Sequence, residues 1–157
     1  MTDVAPVNRL GILGAGQLGA MLAEAARRLG IPTELYDSSD DPAAKYLRGL
    51  TQGDFHDGDA IAQFASRQHL LTYEFENIPL EIVQRVAETT PVLPPPAALA
   101  ASCDRLVEKK LLQSLGIATA KFVEIGHPDM LLDALQHIGG KGILKTRRFG
   151  YDGKGQW

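Results

Sequence analysis

A single cysteine, Cys103, leaves the chain no internal disulfide, a usage that fits a reducing compartment. No histidine lies near it in sequence, so it reads as a small packed side chain rather than a nucleophile. The four histidines, His56, His69, His127 and His137, lack metal-ligand spacing with one another or with Cys103 and read as surface or structural residues. A surplus of one charge is missing as well. With 16 basic and 19 acidic residues the net charge is −3, which excludes the electrostatic footprint of a nucleic-acid binder. No apolar run is long enough to span a membrane, and Met1 to Arg9 lacks the stretch of a signal peptide, so a cytoplasmic protein is expected. Internal repeats and low-complexity segments are absent. No Ser–His–acid or Cys–His set offers nucleophilic catalysis.

What remains is an ordinary globular composition, 45% hydrophobic and 22% charged over 157 residues, enough for one domain and part of another. Arg9 to Leu13 reads as a short apolar strand, followed at once by Gly14-Ala15-Gly16-Gln17-Leu18-Gly19. Leu18, Met21, Leu22, Ala25 and Leu29 then recur at helical spacing, and Gly30 closes that helix. Thr33 to Tyr36 is a second strand with Asp37 at its end. Taken alone this is a dinucleotide fingerprint, with the acid 18 positions after Gly19 where a ribose partner would sit. Tight strand-to-helix turns favour such glycines generally, so the motif specifies a Rossmann-like unit better than it specifies a cofactor.

Further along, Pro42 can open a short helix, and a brief strand is expected at Leu50 to Gln52. Ile61, Phe64 and Ala65 give the next helix its apolar side, and His69 to Tyr73 is a fourth strand ending in Glu74-Phe75-Glu76-Asn77. Ile82, Val83, Val86 and Ala87 stripe another helix, with a short strand at Val92-Leu93 after it. This alternation predicts a parallel sheet with helices on both faces. In a 3-2-1-4 strand order, strands one and four flank the point where ligands bind, so the glycine turn and Glu74 would share one crevice. An anion-friendly helix start beside a carboxylate suits a ligand with a phosphate at one end and an amine at the other. The plainer alternative is that Glu74 and Glu76 only cap the following helix.

Pro94-Pro95-Pro96 reads as a stiff break that ends the first unit. Beyond it Asp104 is a plausible N-cap for a helix striped by Val107, Leu111 and Leu115 and ended by Gly116. Lys121 to Val123 looks like a strand. Leu131, Ala134, Leu135 and Ile138 mark a helix closed by Gly139-Gly140. Gly142 to Lys145 reads as a buried strand ending on a cation, and Gly150, Gly153 and Gly155 follow within six residues, with Lys154 among them. Glycines let successive N–H groups approach an anion, so this loop suits a nucleotide phosphate, unless it is a glycine-rich hairpin with a solvated charge. It is not a Walker loop: Gly150 and Gly153-Lys154 are too close, and Gly155 stands where Ser or Thr should hold magnesium.

The ordered set Gly-Ala-Gly-Gln-Leu-Gly (14–19), Tyr-Glu-Phe-Glu-Asn-Ile (73–78), Asp-Arg-Leu with Lys109 (104–109), Leu-Gly-Ile (115–117), Lys145 and Gly-Tyr-Asp-Gly-Lys-Gly-Gln (150–156) resembles the N-terminal part of an ATP-grasp enzyme. The nearest match is the N5-carboxyaminoimidazole ribonucleotide synthetase family of purine biosynthesis. The resemblance implies a Rossmann-like pre-ATP-grasp domain over residues 1–100 and the incomplete start of an ATP-grasp domain over 101–157. Enzymes of that family use ATP and bicarbonate to form carboxyphosphate and then carboxylate the exocyclic amine of aminoimidazole ribonucleotide, releasing ADP and phosphate. It further implies that Arg105 and Lys145 contact ATP phosphates, with Gly150, Tyr151, Asp152, Gly153, Lys154, Gly155 and Gln156 closing over them as a lid. Tyr151, Asp152 and Lys154 would face the carboxylation centre, while Gly16, Gln17, Leu18 and Glu74 would bind the ribonucleotide.

The resemblance also implies magnesium with ligands outside this chain, and a homodimer, which is common in that family. Because members continue into a larger ATP-grasp portion, this chain alone is expected to be inactive, with the strand that leaves the loop beginning at Trp157 and residues 146–156 mobile. Three rivals stand beside this reading. A formate-dependent glycinamide ribonucleotide transformylase shares the plan but typically carries small hydroxyl residues where Tyr151 and Asp152 stand. An NAD-dependent dehydrogenase would use Gly14–Gly19 and Asp37 but leaves the second glycine loop unexplained. A non-catalytic Rossmann-like interaction module is the third.

Overall fold

A computed structural model describes residues 7–40, 42–150 and 153–157. By packing the chain divides into two compact units, Met1–Leu99 and Ala100–Trp157.

The first unit is built on a parallel sheet of four strands, β1 (Leu10–Leu13), β2 (Thr33–Asp37), β3 (Leu50–Gln52) and β4 (Leu70–Tyr73), in the order β3-β2-β1-β4. This is the expected 3-2-1-4 order. Every residue of the central strand β1 is buried, as a strand covered on both faces requires. Its pairings Leu13 with Tyr36 and Leu13 with Tyr73 bring the ends of β1, β2 and β4 level. The residues that follow those strands, the glycine turn, Asp37 and Glu74, therefore emerge side by side.

Helix α1 (Gln17–Arg28) crosses from β1 to β2, but not on the face the sequence suggested. Leu18, Met21, Leu22 and Leu29 are exposed, at 63%, 67%, 41% and 78%, and Gly19, Ala23 and Ala26 are buried instead. Small side chains let the helix backbone lie close to the sheet, where Ala23 and Ala26 cluster with Leu10, Ile12, Ala15 and Leu35. The bulkier stripe, which hydrophobicity alone would place inward, is displaced to the outer side. The opposite sheet face is covered by α2 (Gly58–Ala65), with Ile61, Phe64 and Ala65 buried as expected, and α3 (Leu80–Ala87), with Val83 and Val86 buried. Gly11 makes room there: a Cβ on it would stand 3.0 Å from the Phe64 ring and closer still to Leu71.

Residues 43–46 form turns rather than a helix opened by Pro42, and Val92 makes only an isolated bridge to Leu71. The proline run does not simply break the chain. Pro96 starts helix α4 (Pro96–Ser102), whose Leu99 is fully buried. Proline at a first helical position loses no hydrogen bond, and the Ala-rich residues that follow favour a helix.

The second unit holds α5 (Arg105–Ser114), a 3-10 turn at Pro128–Met130, and α6 (Leu131–Ile138), which Gly139 ends in the left-handed conformation at φ 103°. Lys121 to Val123 forms no strand. Leu106 is the buried residue of α5, while Val107, Leu111 and Leu115 are exposed. Ile143 and Leu144 are likewise 65% and 41% exposed, so the expected buried strand before Lys145 is not buried. Its described pairing is a single antiparallel hairpin, and one hairpin covers neither of its own faces. The return arm also begins earlier than expected. Gly155 accepts from Thr146 N–H at 2.9 Å, and Leu144 and Trp157 exchange both backbone hydrogen bonds at 2.9 Å, so the hairpin closes within residues 144–157.

Among the described residues no helix is long and apolar enough to cross a membrane.

Candidate functional site

The expected site residues fall into two groups, one in each unit. In the first, Leu13 N–H and C=O belong to the sheet, and the chain then turns sharply through Gly14 at φ 108°. Glu74, one residue past β4, is tied by its own N–H to the Leu13 carbonyl at 2.9 Å. That backbone bond swings its carboxylate over the turn. A Cβ on Gly14, Gly16 or Gly19 would stand 3.0, 3.4 or 3.9 Å from Glu74 Oε2. The glycines thus leave the space that a carboxylate fills, where in a dinucleotide-binding turn a pyrophosphate approaches. Gly19 has a second duty, since a Cβ there would run into the Gly14 carbonyl.

Asp37 stands at the expected strand end but is engaged elsewhere. Its Oδ2 accepts from Ala15 N–H at 2.5 Å and its Oδ1 from Ser39 N–H at 2.7 Å. Both oxygens therefore hold protein backbone, anchoring the glycine turn to β2. Asp37 thus holds the glycine turn in place, a structural duty that the reading as a ribose partner did not include.

Around these carboxylates lies an open cleft of about 450 Å³ lined by Gly16, Asp37, Ser38, Ser39, Pro42, Ala43, Phe55, Glu74 and Phe75. Phe55 and Phe75 stack 5.3 Å apart, and Phe55 leans on Tyr36 at 5.7 Å, so an aromatic wall runs from the core to the cleft. Sequence reasoning missed Ser38, Ser39, Phe55 and Phe75, which lie on three separate connections. Among the described residues none donates a hydrogen bond to the Glu74 carboxylate. Partial burial, and next the charge of Asp37, raise its pKa above the usual carboxylate range. Gly16 lines the cleft as the N-cap of α1, whereas the Gln17 and Leu18 side chains are exposed on the first turn of that helix. Gln17 and Leu18 are not among the residues that line the cleft, and no side chain caps the backbone N–H groups at this helix start.

The second group surrounds the hairpin. Asp104 caps α5, accepting from Leu106 N–H at 3.0 Å and Val107 N–H at 3.4 Å. Arg105, the first residue of the helix, donates through Nη2 to the Gly150 carbonyl at 2.9 Å. Lys145 is exposed and bridges Gln156 in the hairpin, and no described residue pairs with its ammonium. Gly153 and Gly155 take φ 80° and 68°, and a Cβ on Gly155 would press on Thr146. Arg105, Lys145, Gly150, Gly153, Lys154, Gly155 and Gln156 thus belong to one structure, a helix start joined to a glycine turn, with Lys154 exposed on it. Tyr151 and Asp152 lie outside the described residues. Among the described residues no group of three His, Cys, Asp or Glu side chains could hold a metal ion. Cys103 is half-buried and donates to the Ala100 carbonyl, which gives it no catalytic neighbour.

A family model described as the ribonucleotide synthetase preATP-grasp domain matches residues 7–103, and an ATP-grasp domain model matches residues 110–157. The N5-carboxyaminoimidazole ribonucleotide synthase of Brucella melitensis is 45% identical over 99% of this chain and 43% of its own length. The crystal structure of N5-carboxyaminoimidazole synthetase from Staphylococcus aureus complexed with ADP superposes with a TM-score of 0.90 at 32% identity, covering 99% of this chain and 42% of that one. The synthase of Aspergillus clavatus, solved in complex with ADP and 5-aminoimidazole ribonucleotide, gives 0.82 at 27% identity over 96% and 40%. The chain spans about two fifths of the length of these relatives.

Proposed function

The chain belongs to the ribonucleotide synthetase pre-ATP-grasp family, and on that premise we propose that it serves the ATP- and bicarbonate-dependent carboxylation of 5-aminoimidazole ribonucleotide. In this reading residues 1–100 bind the ribonucleotide and residues 101–157 begin the domain that holds ATP. The observation that carries it is Glu74. A partly buried carboxylate can only accept hydrogen bonds, and one with no described donor calls for a ligand that brings its own. An exocyclic amine and ribose hydroxyls are such donors. The N–H groups opening α1 at Gln17 and Leu18, beside Gly16, suit the oxygens at the other end of the molecule.

The reaction transfers the terminal phosphoryl group of ATP to a bicarbonate oxygen, giving ADP and carboxyphosphate. The amine nitrogen then attacks the carbonyl carbon, phosphate departs, and the amine loses a proton. Nothing here requires a nucleophilic side chain. Positive charge and exclusion of water are the requirements. Arg105 and Lys145 would balance phosphate charge, and the N–H groups of Gly150, Gly153, Gly155 and Gln156 would line the turn above it. Tyr151, Asp152 and Lys154 are assigned to the carboxylation centre. Magnesium, when bound, would offset charge on the phosphates, with its ligands outside the described residues. A homodimer and a cytoplasmic setting, where ATP is at hand, complete the proposal.

Against the dehydrogenase alternative stand the backbone bonds that both Asp37 oxygens already accept, and against the transformylase stands its typical use of small hydroxyl residues where Tyr151 and Asp152 stand. Residue-by-residue amide shifts test the reading. Aminoimidazole ribonucleotide should move Gly16, Gln17, Glu74 and Phe75, and ATP should move Lys145 and Gly155. Shifts confined to other residues would reject it.

A further inference from the structure

The N-cap of α5 does more than end a helix. Asp104 is 3% exposed, yet besides its two capping bonds it accepts from Arg147 at 2.9 Å through Nη2 and at 3.1 Å through Nε, and from Arg148 Nε at 3.3 Å. Arg147 reaches Glu124 as well, at 3.1 Å, and Glu124 in turn meets Lys110 at 3.3 Å. The backbone adds a parallel tie, from Arg105 N–H to the Arg147 carbonyl at 3.0 Å. On the far side of Phe149, Arg105 holds the Gly150 carbonyl. Between the two anchorages Phe149 sits at φ 61°, a left-handed conformation that a bulky aromatic residue avoids. Such a conformation persists only where its surroundings impose it.

We propose that Asp104 is a positioning residue for the phosphate hairpin: by gripping Arg147 and Arg148 while Arg105 grips Gly150, it fixes the chain on both sides of Phe149 and so sets where the glycine turn stands relative to Lys145. A cap alone needs one acceptor oxygen and no cation. Two consecutive arginines converging on a buried carboxylate are unnecessary for capping, and they attach the helix that carries Arg105 to the arm that carries Lys145. Capping and clamping are separable by chemistry. Asp104→Asn keeps an acceptor for Leu106 and Val107 N–H but offers the guanidinium groups an amide in place of a carboxylate.

The inference rests on the reading that this hairpin takes ATP phosphates, and the test is arranged to separate the two. Amide hydrogen exchange is measured on the 157-residue chain and on Asp104→Asn, without ligand. The amides of Arg105 and Thr146 should exchange about tenfold faster in the variant, the scale of a lost charged hydrogen bond, while Leu106 and Leu35 amides hold their rates. Unchanged Arg105 and Thr146 rates, or equal acceleration everywhere, overturn the clamp. A non-hydrolysable ATP analogue is then titrated into both chains and followed at Lys145 and Gly155. A several-fold weaker response in Asp104→Asn, with the ribonucleotide response at Gly16 unaltered, supports positioning of the phosphate site. An equal response in both chains rejects it. No response even in the unsubstituted chain rejects the phosphate reading, and the exchange rates still decide whether the clamp exists. Arg147→Gln should reproduce the Asp104→Asn result, and the double variant should add little to either.

Discussion

Glu74 occupies the space that Gly14 leaves empty: a Cβ on Gly14 would lie 3.0 Å from the Glu74 carboxylate and 3.0 Å from the Phe75 amide nitrogen. The glycine turn and the strand-end acid are therefore one arrangement, made of residues 60 positions apart that the sheet order brings together. Its consequences for stability and for binding run in opposite directions.

Because burial, and then Asp37, raise the Glu74 pKa, the ionised form opposes folding. The sign follows directly. A carboxylate harder to ionise in the folded chain costs stability at every pH above its unfolded value. Glu74→Gln should therefore melt no lower than the unsubstituted chain at pH 7, and the difference between them should shrink as the pH falls and Glu74 takes up a proton. Thermal melts at pH 7 and pH 4 measure this. A variant that melts several degrees lower at pH 7 would show that the carboxylate has a protein partner.

Gly19→Ala places a methyl group against the Gly14 carbonyl, a backbone atom that cannot swing away. Overpacking of this kind should cost about 3 kcal/mol, read from urea unfolding of the first unit. Gly30→Ala is the comparison, since nothing lies within 4 Å of its Cβ, although its φ of 75° still disfavours a side chain.

Asp37→Ala removes the acceptor from Ala15 N–H, and should cost about 2 kcal/mol, as for other hydrogen bonds to a charged group. The chain itself should give no saturable change in NADH fluorescence. Tight NADH binding that Asp37→Ala abolishes would restore the dehydrogenase reading.

For Asp104, burial pushes the pKa up, but hydrogen bonds from Arg147, the Leu106 and Val107 amides and Arg148 outweigh it and hold the carboxyl down at about 2. The stabilisation is present in full above the ordinary value of 3.8 and is lost as pH falls from there through about 2. Exchange rates of Arg105 and Thr146 should separate Asp104→Asn from the parent chain at pH 5 and converge near pH 2. A constant gap across that range would remove the ionised carboxylate as the cause.

Much of this was legible in the sequence for physical reasons. Strand order and the crevice followed from alternating strands and helices, because parallel strands need crossovers and ligands gather where the order reverses. The buried faces of α2 and α3 followed from the spacing of Ile61, Phe64, Val83 and Val86. The face of α1 did not, since hydrophobicity ranks Leu18 and Met21 above Ala23 and Ala26, whereas close packing on the sheet selects small size. Helix α4 was hidden by the prolines that precede and open it. The bonds from Arg147 and Arg148 to Asp104 were invisible because those partners are 43 and 44 positions away. The anchoring duty of Asp37 was hidden for a related reason. Its spacing from Gly19 suits a ribose, and only the fold reveals that Ala15 N–H reaches it first.

The most direct test is calorimetric titration of 5-aminoimidazole ribonucleotide into this chain and into Glu74→Gln at pH 7. The expected result is saturable one-to-one binding that the substitution weakens at least about tenfold, the loss of a hydrogen bond to a charged acceptor. Equal affinity in the two chains, or no heat from the unsubstituted chain while its fold is intact, would contradict the assignment of the Glu74 crevice to the ribonucleotide.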